Sequence, residues 1–257
     1  MTYPPPVFRK ATFKKQDKRI VVFAAVIVWS LSTCLCQAFP PIEEVQALQY
    51  FPLFKGSTWT YQGTVTWATG RPDEERKEQL TLRMEVADTY QRGPVWFARI
   101  EFHPSGAWWY ESGTAPDLGA YLCVGYQVYA LTEQRATEIL NRLKDPQDSL
   151  LDLAREDELE FDFPLLPGKR FGEATQIARE DGSYQWRVLV PSPTTGSSTG
   201  KELELIESVE LFNDTLPGHI RLRFEKSKGV TSYEYVHHGT VSEVHLFLTS
   251  YHQGGKQ

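Results

Sequence analysis

The chain has 257 residues, with 27 Lys and Arg against 33 Asp and Glu for a formal charge of −6, and only three cysteines. That length supplies one large or two small domains with a real core, and the acidic balance argues against a protein that tracks nucleic-acid phosphates. Cys34 and Cys36 fall in an amino-terminal segment that reads as an address, so Cys123 stands alone in the body, which excludes an internal disulfide and a paired-cysteine zinc site.

That address comes first. Arg9, Lys10, Lys14, Lys15, Lys18 and Arg19 against Asp17 make a basic head of net +5, followed by an apolar run over residues 20–29 that Leu31 extends. The run is short for a transmembrane helix, which needs about 20 apolar residues, and fits the core of a secretory signal. Cys36-Gln37-Ala38 sets small side chains ahead of a cut before Phe39. We read residues 1–38 as a signal peptide, whose loss takes the chain from −6 to near −11. Two alternatives stay open: a lipidated Cys34 in Leu31-Ser32-Thr33-Cys34, with Thr33 where a smaller residue is usual, and retention of the segment as an uncleaved anchor.

Residues 39–49 read as a linker opening on Pro40-Pro41. Phe51-Pro52-Leu53-Phe54-Lys55-Gly56-Ser57-Thr58-Trp59 follows, and its pattern returns 112 positions later as Phe163-Pro164-Leu165-Leu166-Pro167-Gly168-Lys169-Arg170-Phe171. Proline holds the preceding Phe extended, glycine supplies a turn, and the last aromatic opens a strand. Trp59, Tyr61, Val65 and Trp67 alternate with polar residues, as do Leu80, Leu82, Met84 and Val86, and then Trp96, Ala98, Ile100 and Phe102. Residues 121–131 form a long apolar segment. Ala136, Ile139, Leu140 and Leu143 recur at helical spacing before Pro146, and a second helical turn is expected over residues 150–154. Beyond the second motif, strands carry Tyr184, Trp186, Val188 and Val190, then Leu203, Leu205, Val209 and Leu211, Ile220, Leu222 and Phe224, residues 231–238, and Val244, Leu246 and Leu248.

Ten or eleven strands exceed what one flat sheet holds. The expected fold is mainly β: a strongly curved antiparallel sheet, half-barrel or sandwich, with one or two short helices and the longer helix over an open end. Residues 50–252 form a single β-rich domain, or two β-units over 50–160 and 161–252, with 253–257 as a tail. The opening Tyr50-Phe51-Pro52-Leu53, Gly56, Trp59 and Tyr61, with Gly229, Tyr233 and Tyr235 near the close, resembles uncharacterised bacterial exported proteins and lipoproteins. That resemblance implies a bacterial cell-envelope setting and no defined activity.

No catalytic constellation emerges. Gly196-Ser197-Ser198-Thr199-Gly200 matches the nucleophile-elbow spelling but sits in a Pro/Ser/Thr/Gly loop with no helix behind it, and Cys123 in an apolar segment reads as an inert thiol. His237, Glu243 and His245 in the last hairpin are the candidate metal ligands. Trp108, Trp109 and Tyr110 are candidates for stacking on sugar or lipid. The function expected is a periplasmic or secreted protein without a cofactor, binding an apolar or amphiphilic ligand or a partner protein on the concave side of its sheet. It would meet the membrane only through its amino terminus. A hydrolase or metal-dependent enzyme using the late histidines, and a purely structural envelope component, are the alternatives.

Overall fold

Alternating apolar residues build an antiparallel sheet whose strands follow one another in chain order. The computed structural model describes residues 45–68, 74–104, 118–172, 183–189, 208–215, 218–237 and 242–255. Among them are strands β1 (Thr58–Ala68), β2 (Glu75–Arg92), β3 (Val95–Glu101), β4 (Leu118–Val124), β5 (Gln127–Thr132) and β6 (Leu159–Asp162). A second series comprises β7 (Arg170–Phe171), β8 (Trp186–Val188), β9 (Ser208–Asp214), β10 (Gly218–Glu225), β11 (Gly229–His237) and β12 (Ser242–His252). The sheet order is β6-β5-β4-β3-β2-β1-β12-β11-β10-β9-β8-β7. Two six-stranded meanders are thus joined where β1 pairs with β12, and the twelve-stranded sheet curls into a nearly closed, barrel-like form. Its two edges approach each other: the Lys169 ammonium lies 2.9 Å from the Asp162 carboxylate.

The repeated motif opens each meander, and the two copies make the same backbone hydrogen bonds. The Gly56 N–H donates to Val86 O and the Val86 N–H to Ser57 O; the Gly168 N–H donates to Val188 O and the Val188 N–H to Lys169 O. Phe54 N–H to Pro52 O is matched by Leu166 N–H to Pro164 O. Gly56 and Gly168 take φ of 81° and 84°, the left-handed conformation that glycine adopts without a Cβ penalty. The copies differ in that Phe163–Pro164 is cis and in that the Leu53 N–H, unlike that of Leu165, donates to the carbonyl two residues back, Phe51 O.

Residues 51–54 are buried inside the curled sheet. Val45 and Ala47, within the stretch 39–49, are buried, and Ala47–Tyr50 forms a short helix, α1. Phe51 is the hub of the interior: the rings of Trp59, Tyr121, Phe161 and Phe224 meet it edge-on at 5.4–5.9 Å. Trp59, Tyr61, Trp96 and Trp186 are core residues. Among the described residues, the concave side carries this packed aromatic core.

The long helix, α2 (Glu133–Lys144), begins at Thr132, whose hydroxyl caps the Arg135 N–H. It does not cover an open end. Ala136, Ile139 and Leu143 pack it against the wall of β2, β4 and β5, which explains why β4 is buried on both faces. Arg92 clasps its carboxy-terminal end, donating to the carbonyls of Arg142, Asp145, Pro146 and Asp148 at 2.5–3.1 Å. The apolar segment over 121–131 is a hairpin, β4 and β5, with Gly125 at φ 58° in its turn. Phe102 breaks its alternation, turning out at φ 58° with 73% of its surface exposed. Residues 150–154 form no helix; Leu150 and Asp152 both take φ 57°, and the short helical turn lies at Glu156–Glu158.

Candidate functional site

The outer face of β9–β12 carries three registered rows of polar side chains. One row runs Glu210, Arg223, Ser232, Phe247; the next Phe212, Arg221, Glu234, His245; the third Asp214, His219, Val236, Glu243. Residues directly opposite on antiparallel strands sit with Cβ atoms about 5 Å apart, so each row is a continuous band. Leu222, Tyr233 and Leu246, one position along, are buried in the interior.

A cleft of about 450 Å³ opens on this face over the first row, lined by Arg221, Arg223, Ser232, Glu234 and Phe247 among others. Two β-bulges shape it. Thr231 is the extra residue between the β10 positions Arg223 and Phe224, and Thr249 the extra residue opposite Thr60 and Tyr61 of β1. Bulges bend a strand and increase its twist, which makes a concavity on an otherwise convex wall. Each extra threonine pins its own bulge: Thr231 Oγ1 donates to Arg223 O at 3.3 Å, and Thr249 Oγ1 to Thr60 O at 3.0 Å. Phe247 stands in the cleft with 60% of its surface exposed.

Below the cleft, Glu234 lies between two imidazoles, 3.6 Å from His219 Nε2 and 3.7 Å from His245 Nδ1, while His245 Nε2 faces Glu243 at 3.6 Å. These separations are too long for hydrogen bonds. Of the candidate metal ligands, Glu243 and His245 share this outer face. His237 pairs with Ser242 while Glu243 pairs with Val236, so strand alternation turns His237 to the other face. The reason is register, and it separates the trio. Among the described residues no three His, Cys, Asp or Glu side chains are gathered to hold a metal ion. Trp108, Trp109 and Tyr110, and the Gly196–Gly200 loop, lie outside the described residues.

Inside the sheet, the buried titratable groups are set by desolvation. Burial raises the Cys123 thiol far above its ordinary range, as an inert thiol requires. Burial lowers His103 to about 3 and keeps it neutral, with its Nε2 hydrogen bonded to the Tyr121 hydroxyl. Glu160 is the extra residue of a bulge, because Val128 pairs with Phe161 and Tyr129 with Leu159. Burial raises its carboxyl to about 7, and burial first, with the Glu160 charge second, pushes up the hydroxyls of Tyr121 and Tyr233. Strand alternation between Leu159 and Phe161 would turn Glu160 outward, and the bulge brings it inward.

No family model and no curated protein matches the chain. Among solved structures, a Bacteroides fragilis protein inferred to be exported, with a YmcC-like fold, aligns at a TM-score of 0.31 and 10% identity, over 79% of this chain and 98% of its own. The fold described above rests on the strand order of this chain. No helix among the described residues is long and apolar enough to cross a membrane.

Proposed function

We propose that the chain is an exported, non-catalytic protein of the bacterial cell envelope that binds a ligand carrying an apolar part on the outer face of β10–β12. The observation that carries this reading is Phe247, an exposed ring held in a bulge-shaped cleft of about 450 Å³, within the size range of small-molecule sites. Because the described concave side carries the aromatic core, our reading puts the binding surface on the convex side instead. The basic head and apolar run of residues 1–38 support export.

Native mass spectrometry of the protein recovered from a bacterial envelope tests both halves of the proposal. The expected species begins at Phe39 and carries a small non-covalent mass that a Phe247→Ser variant loses. An intact Met1 would refute the cleavage. A bare chain, or a retained mass indifferent to Phe247→Ser, would refute binding at this cleft.

A further inference from the structure

Resting on that binding reading, we infer that the cleft selects a small organic anion, its negative group held by Arg223 and Ser232 and its apolar part laid on Phe247. The three residues stand side by side: Arg223 pairs with Ser232, and Ser232 with Phe247, across β10, β11 and β12. A cation, a hydroxyl and an aromatic ring thus occupy consecutive places in one row, within the reach of a single small molecule.

Two of the three carboxylates around the row are held by cations. Glu210 lies directly opposite Arg223, yet its carboxylate is taken by Arg221 Nε at 3.0 Å. Glu225 is taken by Lys228 at 2.6 Å, while Glu234, one row away from Arg223, faces the imidazoles of His219 and His245 at 3.6 and 3.7 Å. Among the described residues lining the cleft, Arg223 is the cation with no carboxylate partner, and the Ser232 hydroxyl beside it makes no bond to the protein. A guanidinium presents a planar fork of donors that fits the oxygens of a carboxylate, sulfonate or phosphate. A neighbouring serine hydroxyl adds one more donor. The Thr231 hydroxyl, bonded to the Arg223 carbonyl, fixes the backbone from which that guanidinium projects. The chain's overall negative charge repels anions at long range, so capture must come from this local arrangement rather than from steering.

Two probes with the same ring system separate the anion from the rings: 1-anilinonaphthalene-8-sulfonate and the uncharged N-phenyl-1-naphthylamine. Fluorescence titration of the folded protein is expected to give one saturable site that binds the sulfonate about tenfold more tightly than the neutral amine, the scale of one charge-assisted contact. Arg223→Gln, an exposed surface change, is expected to erase that preference while leaving the neutral probe's affinity and the Tm unchanged. Phe247→Ser should weaken both probes. Equal affinity for the two probes, or a preference that survives Arg223→Gln, would overturn the anion assignment while leaving the binding reading intact. Failure of both probes to bind would overturn the binding reading and the inference with it.

Discussion

At the scale of single residues, half-buried Glu160 and buried His103 are two groups whose ionised forms the interior disfavours, and they act on stability with opposite signs. Glu160 is raised to about 7, so between the ordinary carboxyl range and that value the folded state holds the extra proton. Its stabilisation is present at low pH and is lost as the pH rises through about 7. His103 is lowered to about 3, so across the span up to its ordinary 6.5 the unfolded state holds the extra proton, and stability is lost as the pH falls. Where the windows overlap, from about pH 4.5 to 6.5, each contributes a slope of about 1.4 kcal/mol per pH unit and the two cancel. The wild-type protein is expected to show nearly level stability across that window by urea denaturation. Glu160→Gln removes the falling slope, so its stability should rise with pH through the window by up to about 3 kcal/mol. A Glu160→Gln variant as level as the wild type would contradict the placement of that carboxyl. Spacing alone could not reveal it, because strand alternation makes Glu160 outward and only the unpaired residue between Tyr129 and Val128 reverses that. Phe247 was more legible. Val244, Leu246 and Leu248 face inward by alternation, which leaves a large ring on the wet side of β12. Its companions Arg223 and Ser232 were not, since register across bulged strands is unreadable from one chain.

At the scale of elements, the repeated F-P-L-x-x-G motif is where sequence and structure agree most closely, because proline and glycine act through local backbone geometry rather than distant contacts. A Cβ at Gly56 or Gly168 would meet nothing within 4 Å, so only the left-handed φ opposes substitution. Gly56→Ala and Gly168→Ala are each expected to cost about 1–2 kcal/mol. Gly63, in the middle of β1, presents the reverse case: its Cβ would lie 1.7 Å from the backbone oxygen of His245 on β12. Gly63→Ala must force the two strands apart and is expected to cost more than about 3 kcal/mol. Chemical denaturation of the three variants checks the order, and equal losses would contradict it. The helix teaches a different lesson. Its apolar period was plain from Ala136, Ile139 and Leu143, but its seat on the sheet wall depends on Arg92, fifty residues earlier, and no local pattern announces that clasp. Arg92→Leu removes the donor that ties together four carbonyls at and just beyond the end of α2 and is expected to lower stability by about 2 kcal/mol. Arg92→Lys, with one ammonium in place of a fork, should recover only part of it.

At the scale of the whole molecule, the two meanders share one interior rather than owning one each. Residues of the first meander seat on the second: Trp59 Nε1 donates to Lys228 O and the Tyr61 hydroxyl to Val230 O, both at the start of β11 or the turn before it. Phe51 packs its ring against Phe224 and leaves no room for a side chain at Gly229, where a Cβ would lie 2.5 Å from the ring. The same hub touches Trp59, Tyr121 and Phe161, so loosening either meander empties the packing of the other. Cooperativity follows, because neither set of strands can bury its apolar face alone. Thermal unfolding is expected as one transition, with tryptophan fluorescence from Trp59, Trp96 and Trp186 coinciding with loss of far-ultraviolet circular dichroism, and the calorimetric and van't Hoff enthalpies equal. Phe51→Ala should lower stability by about 3–5 kcal/mol and move both signals together. Two separated transitions, one shifted by Phe51→Ala and one not, would show that the meanders are independent units and that the motif copies open two domains instead of one.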